Sequence, residues 1–178
     1  GGSTTTVKPA SVTLLVSSPQ LNSDNKTAVT LAAVVKDANN AGIKDQAVVF
    51  SASSGLIVAN SDKTDATGTV TATLSTGGDP SNRDVALTAS SGGVSASNLV
   101  TVSGTVVQVS GSSSLVFGTS TDLTINVKDS AGVSIPKAQI RIVSSQGNTL
   151  SASTLTADGA GQAKVTVGAA KAGEDVLT

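Results

Sequence analysis

Apolar residues recur at every second position in short runs along this chain, and the runs are separated by Gly, Asn, Asp, Ser and Pro. Val12, Leu14 and Val16 form the first alternation, Val29, Leu31, Ala33 and Val35 the second, and Val70, Ala72 and Leu74 a later one. A period of two predicts strands, because successive strand side chains point to opposite faces and one face can then be core. Val48 with Phe50, residues 56 to 59, residues 85 to 89, and Val100 with Val102 bring the first 103 residues to seven predicted strands. Turn chemistry punctuates them at residues 19 to 26, at DANNAG from 37 to 42, at GGDPSNRD from 77 to 84 and at the hairpin SSGG. No helix is required anywhere. Val29, Leu31, Val35, Val48, Phe50, Val70 and Leu74 are the expected first core.

The pattern then repeats. Lys36 and Asp37 close one alternation, and Lys128 and Asp129, 92 positions later, close another. Leu123, Ile125 and Val127 match Leu31, Ala33 and Val35; Ile140 and Ile142 match Val48 and Phe50; Ala163, Val165 and Val167 match Val70, Ala72 and Leu74. The correspondence slips by one residue, and the slip is expected near Gly159 to Gly161, where a loop tolerates insertion. Val107 and Val109 open the second copy, with residues 115 to 117 as a broken continuation of the same edge. A repeat this long is a whole small domain rather than a turn of a solenoid. The expected organisation is a tether at 1 to 6, one sandwich domain at 7 to 103, a linker around residues 103 to 105, and a second domain at 104 to 178. By the measure of the first copy, the second lacks its closing strand. Its last edge is therefore expected to pair through a mobile or cleaved tail or through a strand donated by a neighbour.

Composition narrows the chemistry. The chain has no Cys, His, Met, Trp or Tyr, so the usual thiolate nucleophile, near-neutral general base and zinc ligands are absent. Only Phe50 and Phe117 are aromatic, too few to wall a sugar-cleaving cleft around a carboxylate pair. Both are expected in the core or at the interdomain junction. The formal net charge is -1, without a basic run, which argues against nucleic acid as a partner. No segment approaches 18 uninterrupted apolar residues, so no direct membrane insertion is expected. The absent Met is read as a processed or excised fragment. GGSTTT is read either as an appended stretch or as the segment after a removed signal or lipid-bearing residue.

The segments VKDANNAGIKDQAVVFSASSG and TDATGTVTATL carry a resemblance. They are similar to the bacterial Ig-like domains of group 1, the invasin and intimin type, in which a D-x-x-G loop follows one strand and T-D-x-x-G-x-V leads into another. The matching positions are Asp37, Gly42, Val48, Phe50, Gly55, Thr64, Asp65, Gly68 and Val70 in copy one. In copy two they are Asp129, Gly132, Ile140, Ile142, Gly147, Thr156, Asp158 and Gly161. The family's usual Pro after the first loop is replaced by Ile43 and appears as Pro136 in copy two. The resemblance implies an all-β chain of two tandem immunoglobulin-like sandwiches, extracellular or at the bacterial surface, outer-membrane-associated, periplasmic or lipid-anchored, strung in a stalk.

Acidic loop residues are the remaining candidates. Asp37, Asn39 and Asn40 with Gly42 have the outline of a calcium loop, but the next acid is Asp45 and six to eight oxygens are needed, so a hydrogen-bonded turn is the better reading. The pairs Asp62 with Asp65 and Asp79 with Asp84 read as solvated loop ends. A Lys36 or Lys128 cross-link to an amide such as Asn98 and a glycosylation sequon at Asn25, Lys26 and Thr27 are formal options, both weaker than a structural reading. No catalytic, cofactor-binding or metal-ligating residue is therefore assigned, and no cofactor is expected. Two functions remain: a structural spacer in an adhesin-like protein, with neighbouring Ig-like repeats and an unknown surface protein or glycan as partners; or a carbohydrate- or protein-binding module using loops 19 to 26, 60 to 68 and 77 to 84.

Overall fold

The computed structural model describes residues 6–178. All but the last residue of the expected tether at 1 to 6 lies outside the described residues. The chain divides into two compact units, Gly1–Gly104 and Thr105–Thr178. Among the described residues the regular structure is entirely strand.

The first unit contains β1 (Ser11–Val16), β2 (Gln20–Asn22), β3 (Val29–Lys36), β4 (Val49–Ala52), β5 (Leu56–Ala59), β6 (Thr69–Ser75), β7 (Arg83–Ser91) and β8 (Val94–Ser103). One sheet has the order β1-β3-β6-β5 and the other β2-β8-β7-β4. The inward positions are those of the alternations: Leu31, Ala33 and Val35 on β3, Val70, Ala72 and Leu74 on β6, and Val85, Leu87 and Ala89 on β7 are buried in one cluster with Val100 and Val102 of β8. Phe50 packs against that cluster from a half-buried position. The β7–β8 hairpin closes through Gly92 and Gly93, whose φ of 55° and 84° suit the two positive-φ sites of a tight two-residue turn.

Sequence pattern did not anticipate β2. It lies in the turn-rich stretch after Pro19, and it pairs in parallel with the end of β8, Gln20 opposite Thr101 and Asn22 opposite Ser103. A strand of three residues has no period to read, so only its partner defines it.

The second unit contains β9 (Val106–Ser110), β10 (Ser120–Lys128), β11 (Gln139–Arg141), β12 (Thr149–Leu150), β13 (Thr154–Thr156) and β14 (Gln162–Gly168). The order β12-β14-β10-β9 repeats β5-β6-β3-β1, while β11 pairs with β13. Leu123, Ile125, Ile142, Val165 and Val167 form its buried cluster. Val143 and Thr178 exchange backbone hydrogen bonds, and the Ser145 amide donates to the Val176 carbonyl. In the first unit Ser51 faces Thr88 and the Ser53 amide donates to the Ala86 carbonyl. Residues 176–178 therefore occupy the place of the middle of β7, and no counterpart of β8 stands beside them among the described residues.

Three details of the repeat differ from the sequence reading. The residue three past Asp37 is Asn40, and it, not Gly42, corresponds to Gly132: both take positive φ, 63° and 77°. Gly42 instead matches Ser134, since each forms the lone bridge to the closing lysine, Lys36 or Lys128. The one-residue slip falls at Asn148, not at Gly159 to Gly161, because Thr149 and Leu150 already face Gly168 and Val167 as Leu56 and Ile57 face Ser75 and Leu74. Consequently the counterpart of Thr64 is Ala157, not Thr156. In place of the expected strand at 115 to 117 the chain is irregular at Leu115 and Val116 and enters a turn at Phe117, and Phe117, expected in a core, is 67% exposed.

Candidate functional site

The acidic loop ends fold into one motif used four times. Asp37 Oδ1 accepts from the amides of Asn39 and Ala41 at 2.8 and 3.0 Å, while the Asn40 amide returns to the Asp37 carbonyl. Asp65 does the same with Thr67 and Thr69, Asp129 with Ala131 and Val133, and Asp158 with Ala160 and Gln162. In each case the residue three past the acid donates to the acid's own carbonyl. A short carboxylate satisfies two turn amides that the strands leave unpaired, which is why Asp ends these strands. These hydrogen bonds, led by that from the Thr67 side chain, hold the Asp65 carboxyl below its ordinary range.

Each unit holds two such turns against each other. The Val35 amide donates to the Gly68 carbonyl and the Ile43 amide to the Val35 carbonyl, and in the second unit Val127, Gly161 and Ile135 repeat the arrangement. Thr64, buried in the first unit, donates through Oγ1 to the Ile43 carbonyl and accepts from the Gln46 amide. Ala157 leaves the second unit without that clip.

The other candidates are also occupied by structural work. Arg83 donates to Ser54 Oγ and to the carbonyls of Asp79, Ser81 and Thr76, and it faces Asp79 across 3.7 Å. Asp79 is held below the ordinary carboxylate range first by the Ser81 amide and hydroxyl, with Arg83 a smaller contribution. Asp84 accepts from the Thr101 hydroxyl on the neighbouring strand. Asn25 holds a positive φ of 58° and accepts from the buried Thr76 hydroxyl. Asn98 spends its Nδ2 on the Leu14 carbonyl at 2.9 Å rather than on a lysine. Lys36 is on β3, in the other sheet. Among the described residues no group of three or more His, Cys, Asp or Glu side chains gathers where a metal could sit.

Sequence reasoning missed the densest polar cluster. Asp175 accepts from Asn148 Nδ2, Ser144 Oγ, Ser145 Oγ and the Gln146 amide, at 2.7 to 3.0 Å. Those bonds, that of Asn148 first, hold its carboxyl far below the ordinary range. Asn148 Oδ1 in turn accepts from the amides of Ala170 and Lys171. The available signal was an acid two residues before Leu177, on the face that Leu177 turns to the core.

An open groove of about 530 Å³ lies in the first unit, lined by Lys44, Asp45, Asn60, Asp62, Lys63 and Thr71 among others, and a shallower one of about 380 Å³ lies in the second unit against Gly118, Thr119, Thr149 and Gly168. No helix among the described residues is long and apolar enough to cross a membrane.

Comparisons with known proteins agree with this architecture. The structure of the Yersinia pseudotuberculosis adhesin InvE is 19% identical, with a TM-score of 0.61 over 89% of this chain and 51% of that one. Invasin, a bacterial integrin-binding protein, is 18% identical, covering 93% of this chain and 36% of that one at a TM-score of 0.49. The D0-D1 domain of intimin is 21% identical, covering 93% and 88% at a TM-score of 0.44. The first of these carries the likeness of fold, and the chain spans about half the length of that adhesin structure. No curated protein sequence matches the chain significantly. Residues 11–103, more than half of the chain, match the family described as bacterial Ig-like domain (group 1), and the chain belongs to that family.

Proposed function

We propose that this chain is a non-catalytic spacer, two tandem Ig-like modules in the stalk of an adhesin-type protein displayed at or secreted from a bacterial surface. The observation that carries the reading is the fate of the loop carboxylates: at Asp37, Asp65, Asp129 and Asp158 each one is used up in holding its own turn. Groups so engaged stiffen strand ends and offer little to a substrate. Family membership supports the same reading. The partners are then neighbouring repeats of the same kind, with contact to a surface protein or glycan made elsewhere in the longer protein.

The first unit also has a mechanical rationale. Near its beginning β2 runs parallel to β8, the strand that ends it. Force pulling the two ends apart loads that ladder in shear, so its bonds resist together rather than opening one by one. Asn98 adds a tie from β8 to β1 through the Leu14 carbonyl.

The test is direct. The purified chain is expected to show no saturable binding to a glycan array or to epithelial cells, and single-molecule pulling is expected to give a discrete force peak for the first unit. Saturable binding abolished by Lys44→Ala with Lys63→Ala, in the groove, would replace the spacer with the binding-module reading.

A further inference from the structure

β5 ends its sheet, in the order β1-β3-β6-β5. The Asn60 amide donates to the Thr71 carbonyl just beyond the β5–β6 ladder, so alternation along that antiparallel pair turns the N–H and C=O of Leu56 and Val58 toward β6 and those of Ile57 and Ala59 away from it. Among the described residues no backbone group answers Ile57 or Ala59 on that side. The edge lies in mid-chain, in the unit whose two sheets each have four strands.

Its outward side chains are apolar as well. Val70, Ala72 and Leu74 of β6 point into the core, which leaves Thr73 and Ser75 on the outer face with Val58 and Leu56 opposite them. Leu56 and Val58 are each 53% exposed, while Ile57 packs against the core. The second unit is polar at the same place. Thr149 and Ser151 are the counterparts of Leu56 and Val58, Ser151 being placed by the bond from its amide to the Thr166 carbonyl. Edge strands are commonly guarded by Lys, Pro or a bulge. Residues 53–60, SSGLIVAN, contain no charge and no Pro, and β5 pairs with β6 without interruption.

We propose that β5 is a homotypic contact, pairing antiparallel with β5 of a second copy of this chain about a two-fold axis at Ile57. The strand itself selects this occupant. With the axis at Ile57 the N–H and C=O that β6 leaves open meet their own equivalents, so each Ile57 donates to the other and accepts from it. Leu56 then faces Val58 of the second copy, and Val58 faces its Leu56, in the close non-hydrogen-bonded positions of the ladder, where apolar pairs stabilise a sheet. Both exposed side chains are covered by each other, and no charge in the segment meets its own image. Other edges of a second copy fit less well: β12 offers Thr149 and Ser151, and on β1 the Leu14 carbonyl is already taken by Asn98. So short a ladder buries less than the roughly 1,200 Å² of a stable interface, and the contact is weak between free molecules. Between spacers held side by side on one surface the effective concentration is high, and the same contact gathers them.

The experiment uses the full chain in sedimentation equilibrium from about 0.01 to 1 mM, the range of a weak contact. The average mass is expected to rise with concentration. Val58→Lys, which sets a charge opposite Leu56, is expected to weaken association about tenfold or more while the first unit keeps its urea midpoint. Leu56→Thr with Val58→Ser installs the second unit's residues and is expected to do the same, which guards against a folding defect in the lysine variant. The chain has no Cys, so Leu56→Cys and Val58→Cys each supply a single thiol. Under mild oxidation a mixture of the two variants is expected to cross-link and either one alone is not, because only the mixed pair lies within disulfide reach. A mass that stays constant overturns the inference and leaves the spacer reading standing. A dimer untouched by Val58→Lys overturns it too, by assigning the association to another surface, and so does equal cross-linking in single and mixed samples.

Discussion

Gly42 and Gly68 meet backbone to backbone. A Cβ on Gly68 would lie 2.7 Å from the Gly42 Cα, and one on Gly42 would lie 2.1 Å from the Thr67 carbonyl oxygen. The contact exists because the two Asp-capped turns of the first unit are pressed together, the Val35 amide reaching the Gly68 carbonyl at 2.8 Å.

Gly68 has a second requirement, a φ of 80°. Left-handed backbone costs a residue with a Cβ about 1 to 2 kcal/mol, and the collision with rigid backbone adds to it. Gly68→Ala is expected to destabilise the first unit by at least that much, read as a lower urea midpoint, while leaving the second unit's transition in place. Gly42→Ser tests the contact without the conformational cost. Ser134 occupies that position in the second unit, so Ser134→Gly is expected to be nearly neutral there.

Burial separates two core substitutions that sequence would rank the other way. Leu31 is fully enclosed and Phe50 is half-buried. Leu31→Ala should cost about 2 to 5 kcal/mol. Phe50→Ala should fall below the roughly 3 to 5 kcal/mol of a fully buried Phe. Chemical denaturation of both variants decides it, and a larger loss at Phe50 would contradict the packing described.

Calcium and chelator are expected to leave both melting transitions unmoved. The carboxylates of Asp37, Asp65, Asp129 and Asp158 each accept two backbone amides, and no cluster of three or more ligating side chains exists among the described residues. A calcium-induced rise in melting temperature would show that these turns open to bind a cation.

The long strands were legible because β3, β6, β7 and β10 each bury three or more residues at alternate positions, and period two is visible in the order of apolar and polar residues alone. The turn role of the acids was legible too, since Asp followed three residues later by Gly or Asn carries its own conformational logic. Phe117 was misplaced because aromatic size argues for a core only where something lies over the ring. Thr156 was matched to Thr64 by identity, whereas the turn at Asp158 fixes Ala157 there. The Asp175 cluster draws its partners from 27 to 31 positions away, a distance that only the pairing of residues 143–145 with 176–178 closes.

That cluster gives the second unit a dependence on acid. Its four hydrogen bonds favour the ionised carboxylate, so the folded pKa of Asp175 lies well below the unfolded value of about 3.9. The folded state then binds fewer protons than the unfolded state as pH falls through that value, and stability declines in that direction. The contribution is complete above the unfolded pKa and is lost progressively below it, as pH falls toward the folded pKa. Asp175→Asn removes the titration and, at neutral pH, the charge that Asn148, Ser144 and Ser145 converge on. The variant is therefore expected to be less stable than the parent at pH 7, with the gap narrowing steadily between pH 4 and pH 2 (values set by the about 3.9 reference). Amide exchange at Ser145, whose N–H donates to the Val176 carbonyl, reads this locally. Because Asp65 is also held low in the first unit, global acid unfolding alone would mix the two effects. A gap at Ser145 that stays constant across that range would mean that Asp175 holds the terminal segment by shape and not by charge.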